Sequence, residues 1–589
     1  MSHEIARTRN VPARSTFLIA IVAAVLALPV GVGATEESSE QVPAPASEQT
    51  NTEKTEVSFG DYLSGRFAST HRDTHLAANY FNKAVAADPS NMDLVQQAFS
   101  MSLASGNYSQ ASELAVQLAA VEDNHTSLVD LVLNADAMQK NDPVLVLERL
   151  AVSKAEGIVN LVLPLSKAWV AAGQGNAEEA LASLTVLQDD RSFAVFGAVH
   201  KAHILDYLGQ HDNAVVAYLE ILEKLRGSDM QVALAYGNLL ERLGKQDAAI
   251  ILYQEYLTKY PDNILLANAV VRATNREMPS AFIASPAEGL AEAYFNTSRR
   301  LASHRSRSPA TIYLRLTLML KPEFPVAQLL LANLQERDRQ WEVALDQYGS
   351  LTNDPDFGWQ SRYEQAMVLT RLDRKEDSIN LLKGMSTERP DDVIVLAALA
   401  DSMRDAEKFE LSQKYYDQVI DLVGTPEERH WSLFYSRGVA QEQMGNWKRA
   451  EKDFRTALTL RPDEPLVLNY LGYSWLERGV HLDEALELIE KAVEQSPDDG
   501  YVIDSLGWAL YKLTQYEEAI GWLEKAIMLQ PEDPTINDHL GDAYWRHGRR
   551  LEARFQWQHA LVMKPEAEDV ERIRAKLKNG LPEKHSRGQ

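Results

Sequence analysis

Between Trp431 and Pro565 one pattern of small residues and prolines repeats four times. Gly438, Gly472, Gly507 and Gly541 lie 34, 35 and 34 residues apart, and Ala457, Ala492, Ala526 and Ala560 follow at 35, 34 and 34. Pro462, Pro497, Pro531 and Pro565 keep the same intervals. Three markers on one period require each unit to be the same supersecondary piece. A small residue in one helix and an alanine in the next let two antiparallel helices approach closely. The proline ends the second helix, because it has no amide to donate and clashes with the preceding turn. One such pair cannot bury its own apolar faces, so neighbours must stack into a solenoid.

Within the third unit, Leu506-Gly507, Leu510, Ala519, Leu523, Ala526 and Pro531 fall on the pattern of the tetratricopeptide repeat, which this stretch resembles. The resemblance implies an all-α, right-handed solenoid of antiparallel helical hairpins. It also implies a concave wall, built mainly by each unit's first helix, that binds other proteins or extended peptide segments. Carried over to the four clear units, that wall comprises Tyr435 in the first, Asn469 and Tyr473 in the second, Asp504, Trp508 and Tyr511 in the third, and Asp538, Asp542 and Trp545 in the fourth. Aromatic and acidic side chains of this kind suit the apolar and basic groups of a bound peptide. The alternative is that Trp508, Tyr511 and Trp545 pack between adjacent units. Asp538, His539 and Asp542 share a helix face and could be read as metal ligands. Incidental polar residues on a helix surface are the better account, since no further His stands nearby in register, and no metal or other cofactor is expected.

Upstream, Arg7, Arg9 and Arg14 precede an apolar run from Phe17 to Leu28, followed by Pro29 and Val32-Gly33-Ala34. Residues 1–34 therefore read as an export signal cleaved before Thr35, which places the mature chain in the periplasm. The alternative is an inner-membrane anchor formed by residues 17–34, the one case in which a membrane would be a partner. Residues 35–58 are an acidic, apolar-poor linker expected to be disordered. Residues 59–261 carry degenerate repeats, with Trp169, Gly173, Ala180 and Leu184 as the clearest markers between 128 and 187. Residues 262–311 break the period at Pro279, Pro286 and Pro309 and are expected to be an irregular junction between two superhelical segments. Repeats resume over 312–430, the four clear units occupy 431–565, and 566–589 is read as a capping helix and tail.

The chain of 589 residues has a formal charge of −25 and no cysteine. Such acidity argues against nucleic acid, which needs a basic face. The absence of cysteine excludes disulfides, thiolate metal sites and cysteine nucleophiles. Neither a Walker loop nor an H-E-x-x-H, G-x-S-x-G or dinucleotide fingerprint occurs in its proper context, so an enzyme is not expected.

Over 434–565 the text YLGYSWLERGVHLDEALELIEKAVEQSPDDGYVIDSLGWALYKLTQYEEAIGWLEKAI and DHLGDAYWRHGRRLEARFQWQHAL resembles a family of exported bacterial tetratricopeptide proteins. That family includes the envelope lipoprotein adaptor of carboxy-terminal processing proteases. The resemblance implies a non-catalytic scaffold or adaptor of the cell envelope, bringing such a protease to its substrates. The competing reading is an assembly or secretion factor for an envelope polymer. The lipid-bearing cysteine of the adaptor is missing here.

Overall fold

The computed structural model describes residues 59–582 apart from 122–125, 154–158, 189–192, 226–228, 262 and 304–306; the expected signal and linker lie outside them. Among the described residues, thirty α-helices and two short 3-10 turns make up the regular structure and no strand occurs. Consecutive helices pair as antiparallel hairpins, and hairpins stack on their neighbours in sequence. The all-α, repeated-hairpin architecture is therefore as the period requires.

Capping residues set the helix starts. Asp499 accepts from the amides of Tyr501 and Val502, and Asp533 does the same for Thr535 and Ile536. Pro465 and Pro534 occupy the first helical turn, where no amide donor is needed. The periodic glycines show why the markers are small. A Cβ on Gly438 would lie 2.7 Å from Phe454, one on Gly507 2.6 Å from Leu523, and one on Gly541 2.5 Å from Trp557. In each case the large residue belongs to the second helix of the same hairpin. The alanines at 457, 492, 526 and 560 are fully buried.

The described chain divides into two compact units, residues 59–374 and 375–582. Residues 262–311, expected to be an irregular junction, hold the helices Ile264–Thr274 and Pro286–Ser303 and the start of Arg307–Leu320. The prolines were misleading as breakers: Pro286 and Pro309 sit in first turns, where proline's fixed φ is tolerated. Among the described residues between helices Ile264–Thr274 and Arg307–Leu320, the irregular stretch is Asn275–Ser285.

In the unit 59–374, helices Pro286–Ser303 and Arg307–Leu320 form a hairpin that leaves the sequential stack. It packs against the first helices Met92–Ser105, Ser127–Gln139, Val159–Gly173 and Ala194–Tyr207. The same unit is tied near its ends, where Arg72 donates to the carbonyl of Asp338 at 2.7 Å and Gln340 donates to the carbonyl of Arg72 at 3.0 Å. In the unit 375–582 the hairpins run from Val393–Asp405 with Phe409–Val423 to Pro534–Arg546 with Arg550–Val562, and helix Ala567–Asn579 packs on the last of them.

Candidate functional site

In the first unit, the surface offered by successive first helices is filled by the chain itself. The inserted hairpin touches Trp169 so closely that a Cβ on Gly289 would lie 2.3 Å from its ring, while Pro286 sits against Gly173. Leu290, Tyr294, Tyr313, Leu316 and Met319 share one apolar core with Leu165 and Trp169. Behind it lies a buried polar cluster. Trp169 Nε1 donates to His200 Nδ1 at 3.2 Å, and His203 Nδ1 lies 2.7 Å from the hydroxyl of Tyr218. Phe282, from the irregular stretch, stacks on the His203 ring at 5.6 Å. Burial, with a contribution from His203, lowers the His200 pKa well below the usual histidine value, and burial takes His203 to about 3. Both rings stay neutral at any ordinary pH and serve as packing and hydrogen-bonding groups. Burial raises Glu292 of the inserted hairpin to about 7, against the opposing charges of Lys321 and Arg299.

In the second unit, the structure places the wall residues mostly between successive first helices. Asn469, Tyr473, Asp504, Trp508, Asp538 and Asp542 are buried; Tyr435, Tyr511 and Trp545 are half-buried. The acidic residues expected to meet a partner's basic groups have partners within the chain. Both oxygens of Asp504 lie 3.0 Å from His539 Nδ1. Asp538 accepts two bonds from Lys576 at 2.8 Å and pairs with Arg572 at 3.0 Å. Asp542 accepts from Lys576 at 2.8 Å and from Trp557 Nε1 at 2.9 Å. A buried carboxylate is tolerable only when paired in this way. The metal reading of Asp538, His539 and Asp542 fares no better, since His539 turns to Asp504 and the two aspartates to Lys576.

The aromatics behave similarly. Trp508 stacks between His539 at 3.9 Å and Tyr511 at 4.7 Å, and its Nε1 donates to Glu477 at 2.6 Å. Tyr435 meets Tyr470 edge-on at 5.6 Å. Trp545 lies 5.3 Å from Trp557 under the guanidinium of Arg550, and the backbone at Gly580 crosses its ring so closely that a Cβ there would overlap it. Asn469 keeps a buried carbonyl oxygen without a partner. What remains reachable is the row of half-buried aromatic edges at Tyr435, Tyr511 and Trp545.

Sequence reasoning missed Lys576 and Arg572, which lock the capping helix onto the last first helix. Lys576 stands 38 residues from Asp538, off the repeat period, so periodicity offers no signal for it. The neighbouring pair is on the period: Asp504 and His539 are 35 residues apart and face each other across successive first helices.

Family models of the tetratricopeptide repeat match residues 200–264 and 435–500, and a TPR repeat model matches 507–548. A TPR repeat-containing protein of Pseudomonas aeruginosa is 30% identical over 187 residues, 32% of this chain; the chain spans 31% of that relative's length. Among solved structures, the APC/C hetero-tetramer Cut9–Hcn1 is similar over 89% of this chain and 97% of its own, at 15% identity and a TM-score of 0.38. A tetratricopeptide repeat protein from Parabacteroides merdae is similar over 49% of this chain and 97% of its own, at 14% identity and a TM-score of 0.32. MamA of AMB-1 is similar over 30% and 96%, at 23% identity and a TM-score of 0.25. The chain carries tetratricopeptide repeats, modules that typically bind other proteins.

Proposed function

We propose that this protein is a non-catalytic scaffold of the bacterial cell envelope that holds another protein, or an extended segment of one, on its C-terminal repeats. The observation that carries the reading is the contrast between the two sets of first helices. Four of those in residues 59–374, Met92–Ser105, Ser127–Gln139, Val159–Gly173 and Ala194–Tyr207, are packed against the hairpin Pro286–Leu320. Those of residues 431–546 keep the half-buried aromatic edges of Tyr435, Tyr511 and Trp545. Side chains of this type anchor peptide partners, and a few of them usually dominate the binding energy. Export to the periplasm rests on the arginine-flanked apolar run before Thr35. A carboxy-terminal processing protease and its substrates are the partner class suggested by the resemblance over 434–565.

The test is affinity capture from envelope extracts by the full chain and by a Tyr435→Ala/Tyr511→Ala variant. The variant should stay helical by circular dichroism and lose the captured partners, each truncation costing about 2 kcal/mol of binding. Unchanged capture by the folded variant would remove the C-terminal wall from the proposal. Recovery of a polymer synthase complex without any protease would move the function to envelope assembly. Mass spectrometry of the exported chain decides cleavage: retention of Phe17–Leu28 makes it membrane-anchored.

A further inference from the structure

Helix Arg550–Val562, the second helix of the last hairpin, turns an apolar stripe outward. Leu551 is 82% exposed, Phe555 67% and Val562 67%, at positions i, i+4 and i+11 of one helix face. No other described second helix of residues 375–582 exposes three large apolar side chains. The charge around this stripe is also reversed. From Trp545 to Lys564 the sequence has five basic residues, Arg546, Arg549, Arg550, Arg554 and Lys564, and one acidic residue, Glu552, so 5 − 1 gives +4 in a chain of −25. Arg550 and Arg554 border the stripe and are held in place: Arg550 lies 4.1 Å over the Trp545 ring and donates to the Trp545 carbonyl, and Arg554 donates to the carbonyl of Leu577 at 2.7 Å. Each bond is made through one guanidinium nitrogen, and both arginines remain exposed with further N–H donors in the fork.

We infer that the outer face of helix Arg550–Val562 docks on an anionic lipid surface. A bilayer bearing acidic headgroups matches both halves of the face: phosphates accept from Arg550 and Arg554, while Leu551, Phe555 and Val562 enter the boundary between headgroups and acyl chains. A second copy of this chain would bring another +4 patch against the first. An acidic protein would answer the arginines but not three separate apolar prongs. The other exposed stripe, Phe59, Leu63 and Phe67, is bordered by both Asp61 and Arg66 and has no such charge preference. The inference is independent of which protein the aromatic edges hold.

The experiment is co-sedimentation of the full chain with vesicles of phosphatidylcholine, alone or mixed with phosphatidylglycerol, at low and high salt. The N-terminal apolar run is common to every variant and contributes to the phosphatidylcholine baseline. The readout is therefore the gain on adding phosphatidylglycerol. Arg550→Gln/Arg554→Gln should reduce that gain roughly 25-fold, about fivefold per basic residue, and high salt should abolish it. Leu551→Ser/Phe555→Ser should reduce it at least tenfold while circular dichroism stays unchanged, since both side chains are exposed. Because the chain has no cysteine, Phe555→Cys carries a single environment-sensitive fluorophore, whose emission should shift to the blue on the mixed vesicles. A gain that survives the arginine pair, or a label that does not shift, overturns the inference. So does loss of an acidic protein from the capture of the arginine variant with no phosphatidylglycerol-dependent gain in the parent chain.

Discussion

In residues 59–374 the first helices Ser127–Gln139 and Val159–Gly173 are covered by their own second helices on one side and by the hairpin Pro286–Leu320 on another; in residues 431–579 the first helices are buried against one another. Both routes bury the wall, but with different chemistry. The first unit uses an internal ligand of apolar residues, Leu290, Tyr294, Tyr313 and Leu316, placed on Trp169. The second uses pairs between successive first helices, Asp504 with His539 and Trp508 on His539, and ends them with Lys576 between Asp538 and Asp542. A period of helical hairpins thus says where a wall is, not whether it is vacant. The vacant part has to be found from burial and pairing, and here it shrinks to aromatic edges.

The largest effect should come from bulk at the internal ligand. Gly289→Leu would force a branched side chain into the Trp169 ring, which is fully buried and has no room to turn. Overpacking of this kind should cost the unit about 3 kcal/mol. Gly521 of the other unit has nothing within 4 Å of its Cβ position. Gly521→Ala should instead stabilise its helix by about 1 kcal/mol. Thermal unfolding followed by circular dichroism separates them: the first change lowers a melting transition and the second raises one. If Gly289→Leu melts like the parent, the inserted hairpin is not integral, and the contrast between the units fails.

The four C-terminal units were legible because one small residue meets one large residue in each hairpin, Gly438 with Phe454 and Gly541 with Trp557 among them, and the period repeats that contact. The N-terminal half was not, for a reason visible in helices Ser127–Gln139 and Val159–Gly173. Val129, Leu131, Val132 and Leu133, and likewise Leu161, Val162, Leu163 and Leu165, are all buried, so apolar residues occur on every face. A helix covered on two sides has no amphipathic rhythm to read. The inserted hairpin escaped because Pro286 and Pro309 resemble breaks until it is known that they start helices. The residues named for the wall lie on first helices. Their burial was not legible, since the arginine and lysine that answer Asp538 arrive from the capping helix, outside the period.

A smaller effect sharpens the chemistry of the internal ligand. Glu292 is raised by burial from an ordinary 4.5 to about 7, with Lys321 and Arg299 opposing. The folded unit then holds a proton that the unfolded chain releases above about 4.5, so stability is lost as pH rises from about 4.5 to 7. At 1.36 kcal/mol per unit of pKa, the loss amounts to about 3 kcal/mol or somewhat less by neutral pH. Glu292→Gln should remove it, raising the melting temperature of residues 59–374 at pH 7.5 and leaving it near the parent's at pH 4. Equal melting of the two proteins at pH 7.5 would mean that the carboxyl is not desolvated by the groove.

The smallest effect belongs to the other unit and runs in a different window of pH. Burial alone would lower His539, but the charge and hydrogen bond of Asp504, aided by Asp538 and Asp542, lift its pKa above the usual histidine value. A raised histidine stabilises the fold fully below the unfolded value near 6.5, and the contribution is lost as pH rises through the folded value. Residues 375–582 should therefore lose stability on the alkaline side of 6.5, whereas the Glu292 effect lies mostly below it and ends near 7. His539→Gln should flatten that slope, because the amide cannot gain a proton, and should leave the acid-side slope of the other unit in place. The imidazole resonances followed by nuclear magnetic resonance give the direct check: His539 should titrate above the usual histidine value, and Asp504→Asn should bring it down. A His539 that titrates below that value would show that desolvation outweighs Asp504. The step between Asp504 and His539 would then rest on the stacking of Trp508 on His539, and that electrostatic link of the contrast would be lost.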